Sequence, residues 1–133
     1  MDNNIKTVLL VEDDFALMDV VKLKLKHAGF AVLTSRTVEE SIEILNKNKI
    51  DLIWTDHYLL GKQNGLDLVS QVRNNPEWKN TPVVVVSQTS TDETQLKYQK
   101  LEIEKFYTKM DTNLDEVVEF VKSMFQVIAQ RPK

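Results

Sequence analysis

The chain contains no cysteine, so disulfide bonds, zinc–thiolate centres and thiol catalysis are excluded. It has only three glycines and neither glycine-rich phosphate-binding motif, G-x-G-x-x-G or G-x-x-x-x-G-K-[ST], which argues against a nucleotide-binding enzyme. It has no basic run and a net charge of -3, which argues against nucleic acid as a direct ligand. Neither an apolar signal core nor a stretch approaching the roughly 20 apolar residues of a membrane span is present. These absences favour a cytoplasmic protein that does not insert into a membrane.

The composition is that of an ordinary globular protein, with 42% hydrophobic and 28% charged residues among 133. This length predicts one domain over 1–133, large enough to bury a core. The predicted elements use nearly all of it, leaving Arg131, Pro132 and Lys133 as a tail, so we expect no separate DNA-binding output domain.

Apolar runs and helical periodicities alternate along the chain. The strand-like runs lie at 7–11, 30–34, 51–56, 83–87 and 106–108, and the helical patterns at 15–28, 41–48, 66–72, 91–101 and from Leu114 to before Pro132. Strands that alternate with helices predict an α/β fold with a parallel sheet covered on both faces.

Polar residues follow four of the five predicted strands: Glu12 and Asp13 after the first, Asp56 after the third, Ser87 after the fourth and Lys109 after the fifth. The carboxyl ends of parallel strands share one edge, so we expect these side chains to form one pocket. Singly, each residue could be a strand end, a turn residue or a surface charge, and Asp14 a helix cap. Together, they favour a functional site.

Three carboxylates beside one lysine need further positive charge. Oxygen ligands without histidine or cysteine favour Mg²⁺ over a transition metal. A carboxylate next to Mg²⁺ and a lysine is equipped to attack phosphorus, because phosphoryl transfer needs in-line positioning and neutralised oxygens.

Four segments carry a resemblance to a known family: 8–14 (VLLVEDD), Asp56 with Gly65 downstream, 84–87 (VVVS) and 106–109 (FYTK). Over nearly its whole length the chain resembles the response-regulator receiver domain of two-component systems, as found in single-domain chemotaxis regulators. The resemblance implies a flavodoxin-like (βα)5 fold with strand order 2-1-3-4-5.

The resemblance implies a phosphoryl-accepting signalling switch. Asp56 would accept a phosphoryl group from a phosphohistidine on a histidine kinase or histidine phosphotransfer protein, while Lys109 and Ser87 contact the phosphoryl oxygens. Glu12, Asp13, Asp56 and the backbone carbonyl of Tyr58 would hold Mg²⁺. The protein would catalyse nothing beyond its own aspartyl phosphorylation and dephosphorylation.

Phe106 corresponds to the family's aromatic switch residue, with the adjacent Tyr107 as the alternative position. We expect residues 88–108 to form the face that changes binding to a downstream protein, with Tyr98 and Tyr107 as contacts. The helix within this segment has few aliphatic anchors, and a merely solvated helix is the alternative interpretation.

Two departures from the family pattern concern the loops: Met110 replaces the proline after the lysine, and Leu60 replaces a proline after the acceptor. Tyr58 and Thr89 lie where the family places groups flanking the hydrolytic water, and the bulk of Tyr58 predicts slow dephosphorylation. Strand alternation should turn His57 away from the pocket, which makes it structural.

Two other functions share parts of this pattern. A Mg²⁺-dependent phosphatase would have a strand ending in D-x-D, but Tyr58 occupies the second acidic position. The second is a pseudo-receiver that serves as a phosphate-independent docking module, for which Met110 is a weak argument.

Overall fold

The structure is a computed structural model that describes residues 5–88 and 90–130, with side chains up to residue 126. The strands are β1 (Thr7–Val11), β2 (Ala31–Ser35), β3 (Leu52–Thr55), β4 (Val83–Ser87) and β5 (Lys105–Thr108), and the helices are α1 (Phe15–His27), α2 (Val38–Lys47), α3 (Gly65–Arg73), α4 (Asp92–Lys100) and α5 (Leu114–Gln130). The predicted alternation of strands and helices is confirmed. The predicted tail, Arg131 to Lys133, lies outside the described residues.

The five strands form one parallel sheet in the order β2-β1-β3-β4-β5, as predicted. Val11 at the end of β1 pairs with Ser35 on one side and Thr55 on the other. Ser87 at the end of β4 pairs with Thr108 of β5. β1, β2 and β3 therefore end level, and so do β4 and β5, which extend two residues further because Thr55 pairs with Val85. The residues that follow β1, β3 and β5 reach the same edge.

Helix capping explains where the structure departs from the predicted boundaries. The second helix begins at Val38, three residues before the predicted start at Ser41, because the Thr37 side chain accepts from the Glu40 N–H. Asn64 forms a capping box with Asp67 and starts α3 at Gly65, after the loop that follows β3. Both caps are polar residues without apolar periodicity, so a search for hydrophobic spacing misses them.

Two apolar layers cover the sheet, and alternate strand residues serve one or the other. One layer packs α1 and α5 against the sheet and includes Trp54 and Tyr107. The other packs α2, α3 and one side chain of α4 and includes Trp78 and Tyr98. Trp54 and Trp78 are 2% and 9% exposed, so both are packing residues. Within the described ranges no helix is long and apolar enough to span a membrane.

Candidate functional site

The carboxyl edge of the sheet brings together Glu12, Asp56 and Lys109, which are far apart in sequence. The Lys109 Nζ donates to Asp56 Oδ2 at 2.8 Å and to Glu12 Oε1 at 3.3 Å. Glu12 is 3% exposed and Asp56 is 4% exposed. An ammonium ion shared between two buried carboxylates is therefore the centre of the pocket, and the predicted convergence of these residues is observed.

Backbone donors hold both carboxylates in place. The Asp14 carboxylate accepts from the N–H groups of Ala16 and Leu17 in the first turn of α1, which confirms Asp14 as the helix cap. Its own N–H donates to Glu12 Oε2 at 3.2 Å. At Asp56, the Tyr58 N–H donates to Oδ1 at the same distance of 3.2 Å.

The electrostatics of the pocket follow from burial and crowding. Burial, together with repulsion from Asp56, raises the pKa of Glu12 to about 7. Burial disfavours the charged form of Lys109, but hydrogen bonds and charge attraction from Asp56 and Glu12 outweigh it, and the Lys109 pKa is raised. One lysine thus neutralises only part of the carboxylate charge.

The donor set fits a hard divalent cation. Glu12, Asp13 and Asp56 each present a carboxylate oxygen, and these oxygens lie within 4.8 Å of one another. Among the described residues this cluster contains oxygen donors only, which is the chemistry that Mg²⁺ prefers. The Tyr58 carbonyl stays a predicted fourth ligand.

Two further predicted residues, Ser87 and Phe106, lie on neighbouring strands. Ser87 is fully buried at the end of β4, and its carbonyl accepts from the Lys109 N–H at 2.7 Å. Phe106 packs in the same layer as Tyr98, and the centroids of these two rings are 5.5 Å apart. Tyr107 faces the opposite layer. Of the two aromatic positions, Phe106 is the one on the α4 side.

The altered loop keeps the lysine in place. The Lys109–Met110 peptide bond is trans, and Met110 is 79% exposed. Lys109 nevertheless reaches Asp56, since the β4–β5 hydrogen bond at its own N–H fixes the start of the turn. The proline that the family carries is therefore unnecessary for the ion pair.

Tyr98 is not the surface contact that the sequence predicted. It is fully buried, and its hydroxyl lies 2.6 Å from His57 Nδ1. Tyr107 is also buried, at 6% exposure, so the prediction that these two tyrosines are exposed contacts is wrong for both. A polar helix suggested solvated tyrosines, but the space beside Gly65 admits an aromatic ring beneath α4. His57 is turned toward Tyr98, as its predicted structural role requires.

Burial favours the neutral forms of both His57 and Tyr98. Burial lowers the pKa of His57, and burial followed by the repulsion of nearby Asp56 raises the pKa of Tyr98. The ring of Tyr58 packs edge-on against His57 at 4.8 Å between centroids and is 54% exposed. Thr89, predicted with Tyr58 to flank a hydrolytic water, lies outside the described residues.

Arg36 supports the pocket, and its role was missed in the sequence. Its guanidinium donates from Nη2 to the Asp13 carbonyl at 2.9 Å and covers the Phe15 ring at 3.9 Å from the centroid. Its own carbonyl accepts from the Leu60 N–H at 3.1 Å. Arg36 thus joins the turns after β1 and β3. No pattern marks it, because its partners are backbone atoms that only the folded edge brings near.

Comparison with known proteins gives a consistent result. The profile of the response regulator receiver domain matches residues 8–122. The fold is similar to that of a response regulator receiver protein from Pseudomonas putida, with a TM-score of 0.84, 26% identity, and 92% of this chain and 99% of that chain covered. It is also similar to the phosphorylated cyanobacterial phytochrome response regulator RcpA, with a TM-score of 0.76, 25% identity and 97% of both chains covered.

Curated relatives match over part of their length. The putative two-component response regulator ARR21 of Arabidopsis thaliana is 33% identical over 88 residues, which are 65% of this chain and 14% of that protein. The transcriptional regulatory protein YvrH of Bacillus subtilis is 29% identical over 65% of this chain and 35% of its own length. The chain therefore spans a minor part of these two relatives.

Proposed function

The chain belongs to the response-regulator receiver domain family, and we propose that it is a signalling switch in which Asp56 is the phosphoryl acceptor. The observation that carries the proposal is the Lys109–Asp56 ion pair of 2.8 Å, inside a cluster of three carboxylates. A structural ion pair needs neither a second buried acid, Glu12, nor a third carboxylate, Asp13, beside it. The surplus of negative charge is what a cation and a phosphoryl group would use.

The chemical step is in-line transfer to Asp56. A carboxylate oxygen of Asp56 attacks the phosphorus of a phosphohistidine, and the breaking P–N bond leaves its electron pair on the imidazole nitrogen of the donor. Lys109 already contacts the oxygen Oδ2, so its ammonium ion lies beside the oxygens of the transferred group. Ser87, at the end of the neighbouring strand, would donate to another phosphoryl oxygen.

Glu12, Asp13, Asp56 and the Tyr58 carbonyl would hold Mg²⁺. When bound, this ion neutralises phosphoryl oxygens during transfer. The Glu12 carboxylate accepts from the Asp14 N–H, and the Asp13 carbonyl accepts from Arg36. These hydrogen bonds position the two acids of this turn.

The partners follow from this chemistry. The donor is a histidine kinase or a histidine phosphotransfer protein, and the output is a changed affinity of the face around residues 88–108 for a downstream protein. The chain itself makes no direct nucleic-acid contact in this proposal, although relatives such as YvrH are named transcriptional regulatory proteins.

Tyr58 slows hydrolysis of the acyl phosphate. The acyl phosphate of the wild type should therefore have a longer lifetime than that of Tyr58→Asn.

A matched pair of variants tests the metal and acceptor roles together. Asp13→Asn removes a cluster carboxylate, whereas Asp14→Asn retains a good helix cap outside the cluster. We expect Mg²⁺ to change the fluorescence of the buried Trp54 in wild type and Asp14→Asn, and a small acyl phosphate to modify Asp56 in both. Asp13→Asn should fail in both measurements. Equal behaviour of the two variants would contradict the proposed site, and a folded wild type that takes no phosphoryl group would favour the phosphate-independent docking module.

A further inference from the structure

The fourth helix has one buried side chain. α4 is strongly polar, and Tyr98 is its buried residue. Leu96, its other large apolar residue, is 51% exposed. Little apolar area therefore fixes α4, and its position depends on where the Tyr98 ring is held.

The Tyr98 hydroxyl lies where three segments meet. His57 Nδ1 is 2.6 Å away and belongs to the residue after the acceptor. A Cβ placed on Gly65, the first residue of α3, would collide with the hydroxyl and would lie 2.7 Å from the Asp56 carbonyl oxygen. The Gly65 N–H donates to the His57 carbonyl at 2.8 Å, which closes the acceptor loop beneath the ring.

These contacts connect α4 to Asp56 in three steps. The first is the Tyr98 ring, the second is its hydrogen bond with His57, and the third is the backbone of residues 56–65. On the other side, the Tyr98 ring packs on Phe106 of β5 at 5.5 Å between centroids. A displacement of His57 must therefore either break a partly buried hydrogen bond or carry Tyr98 with it. An unpaired buried hydroxyl is costly, which favours joint movement.

We propose that Tyr98 is a positioning residue that couples the acceptor loop, residues 56–65, to α4 through its hydrogen bond with His57. The coupling acts in both directions: the loop holds α4, and α4 holds the loop. The direction from phosphate to α4 rests on the proposed function, whereas the mechanical coupling in the unmodified protein does not.

Removal of each partner tests the mechanical coupling. Tyr98→Phe and His57→Phe keep aromatic rings and delete the hydrogen bond from opposite ends, and amide hydrogen exchange by mass spectrometry reports both segments. We expect Tyr98→Phe to speed exchange in 57–65, and His57→Phe to speed it in 92–100, each by about fivefold, the loss of roughly one net hydrogen bond. His57→Asn, whose side chain can pair with the hydroxyl, should restore slow exchange. An effect confined to the mutated segment would overturn the proposal.

Ser41→Ala is the matched control, because the Ser41 hydroxyl is also buried and bonds Ser35 at 2.7 Å, far along the sheet from α4. It should leave exchange in 92–100 unchanged. A comparable rise in Ser41→Ala would mean that general loss of stability, and not this hydrogen bond, is being measured, which also overturns the proposal.

Phosphorylation supplies a readout that a packing role alone would not move. After treatment with a small acyl phosphate and Mg²⁺, we expect amide exchange in 92–100 to change in wild type and Ser41→Ala. In Tyr98→Phe that has gained the same phosphoryl group, most of this change should be absent. An unaltered response in phosphorylated Tyr98→Phe would overturn the coupling. If wild type takes no phosphoryl group, the proposed function fails, and the unmodified-protein measurements alone decide the coupling.

Discussion

Glu12 is the residue whose environment deviates most from an ordinary carboxylate in the pocket. It is buried beside Asp56, and the single ammonium ion of Lys109 lies closer to Asp56 than to Glu12. Its raised pKa of about 7 means that the folded metal-free protein binds a proton there which the unfolded chain has lost above pH 4.5. The pocket is therefore arranged for a positive ligand at a cost in stability.

This shift predicts a pH dependence with a definite sign. The stabilising proton on Glu12 is fully effective below the unfolded pKa, and its contribution is lost as the pH rises from 4.5 through about 7. Between pH 5 and 8, without divalent cations, Glu12 should remove roughly 2 to 3 kcal/mol from the free energy of unfolding. Urea unfolding of wild type and Glu12→Gln at both pH values measures this. Parallel pH profiles for the two proteins would refute the assignment.

The acceptor loop and α4 depend on a glycine at the start of α3. At Gly65 a Cβ would meet both the Tyr98 hydroxyl and the Asp56 carbonyl, whereas Gly29 has open space around it and only a positive φ of 100°. Gly65→Ala should therefore lower the free energy of unfolding by about 1 to 3 kcal/mol beyond backbone effects, because backbone atoms have to move. It should also slow phosphorylation of Asp56.

Gly29→Ala is the comparison for this prediction, since it pays backbone strain of about 1–2 kcal/mol without a collision. Its phosphorylation rate should match wild type. Adding Tyr98→Phe to Gly65→Ala should recover part of the lost stability, because one of the two obstructing atoms is then gone. No recovery at all would mean that the hydroxyl is not the obstruction.

Arg73 joins the last turn of α3 to the loop before β4 and to the turn between α4 and β5. Its guanidinium donates to the carbonyls of Leu101 at 2.7 Å and Thr81 at 2.7 Å, with longer bonds to those of Lys79 and Glu102. Burial lowers its pKa, although nearby acids oppose this. The guanidinium replaces water for four carbonyl groups that close the end of the domain opposite the pocket.

Loss of these bonds should destabilise the domain without affecting its chemistry. Arg73→Met should lower the free energy of unfolding by about 2 kcal/mol, since bonds to a charged donor are lost and carbonyls are left without it. Lys79→Met removes an exposed charge nearby and should change little. Thermal unfolding of both variants, together with their phosphorylation rates, makes the check. A slowed phosphorylation in Arg73→Met would show that this end communicates with the pocket.

For the molecule as a whole, the sequence predicted the order of elements because each strand is a short apolar run and each helix has its own spacing. A parallel sheet then forces Glu12, Asp56 and Lys109 to one edge, so these residues could be inferred without coordinates. The structure adds contacts that depend on side-chain direction. Tyr98 is an example, because the polar composition of its helix gave no indication that this side chain is buried. The Arg36 guanidinium donates to the Asp13 backbone carbonyl, and a backbone partner cannot be identified from residue type.

The pocket could be predicted from the sequence, whereas the contacts that connect it to α4 could not. The pocket follows from residue types at strand ends, whereas the route to α4 depends on a single ring that fits beside a single glycine. A chain with the same strand ends and a small residue at position 98 would keep the pocket and lose the His57 contact. Asp56 is therefore the central assignment.

The most direct test of that assignment is the intact mass after incubation with a small acyl phosphate, with and without Mg²⁺, on wild type, Asp56→Asn and Asp51→Asn. Asp51 lies at the opposite end of β3, where its Oδ2 accepts from the Thr7 N–H, and serves as the matched control. We predict one added phosphoryl group on wild type and Asp51→Asn only with Mg²⁺, and none on Asp56→Asn. A folded wild type that stays unmodified, or an Asp56→Asn variant that gains the group, would contradict the account.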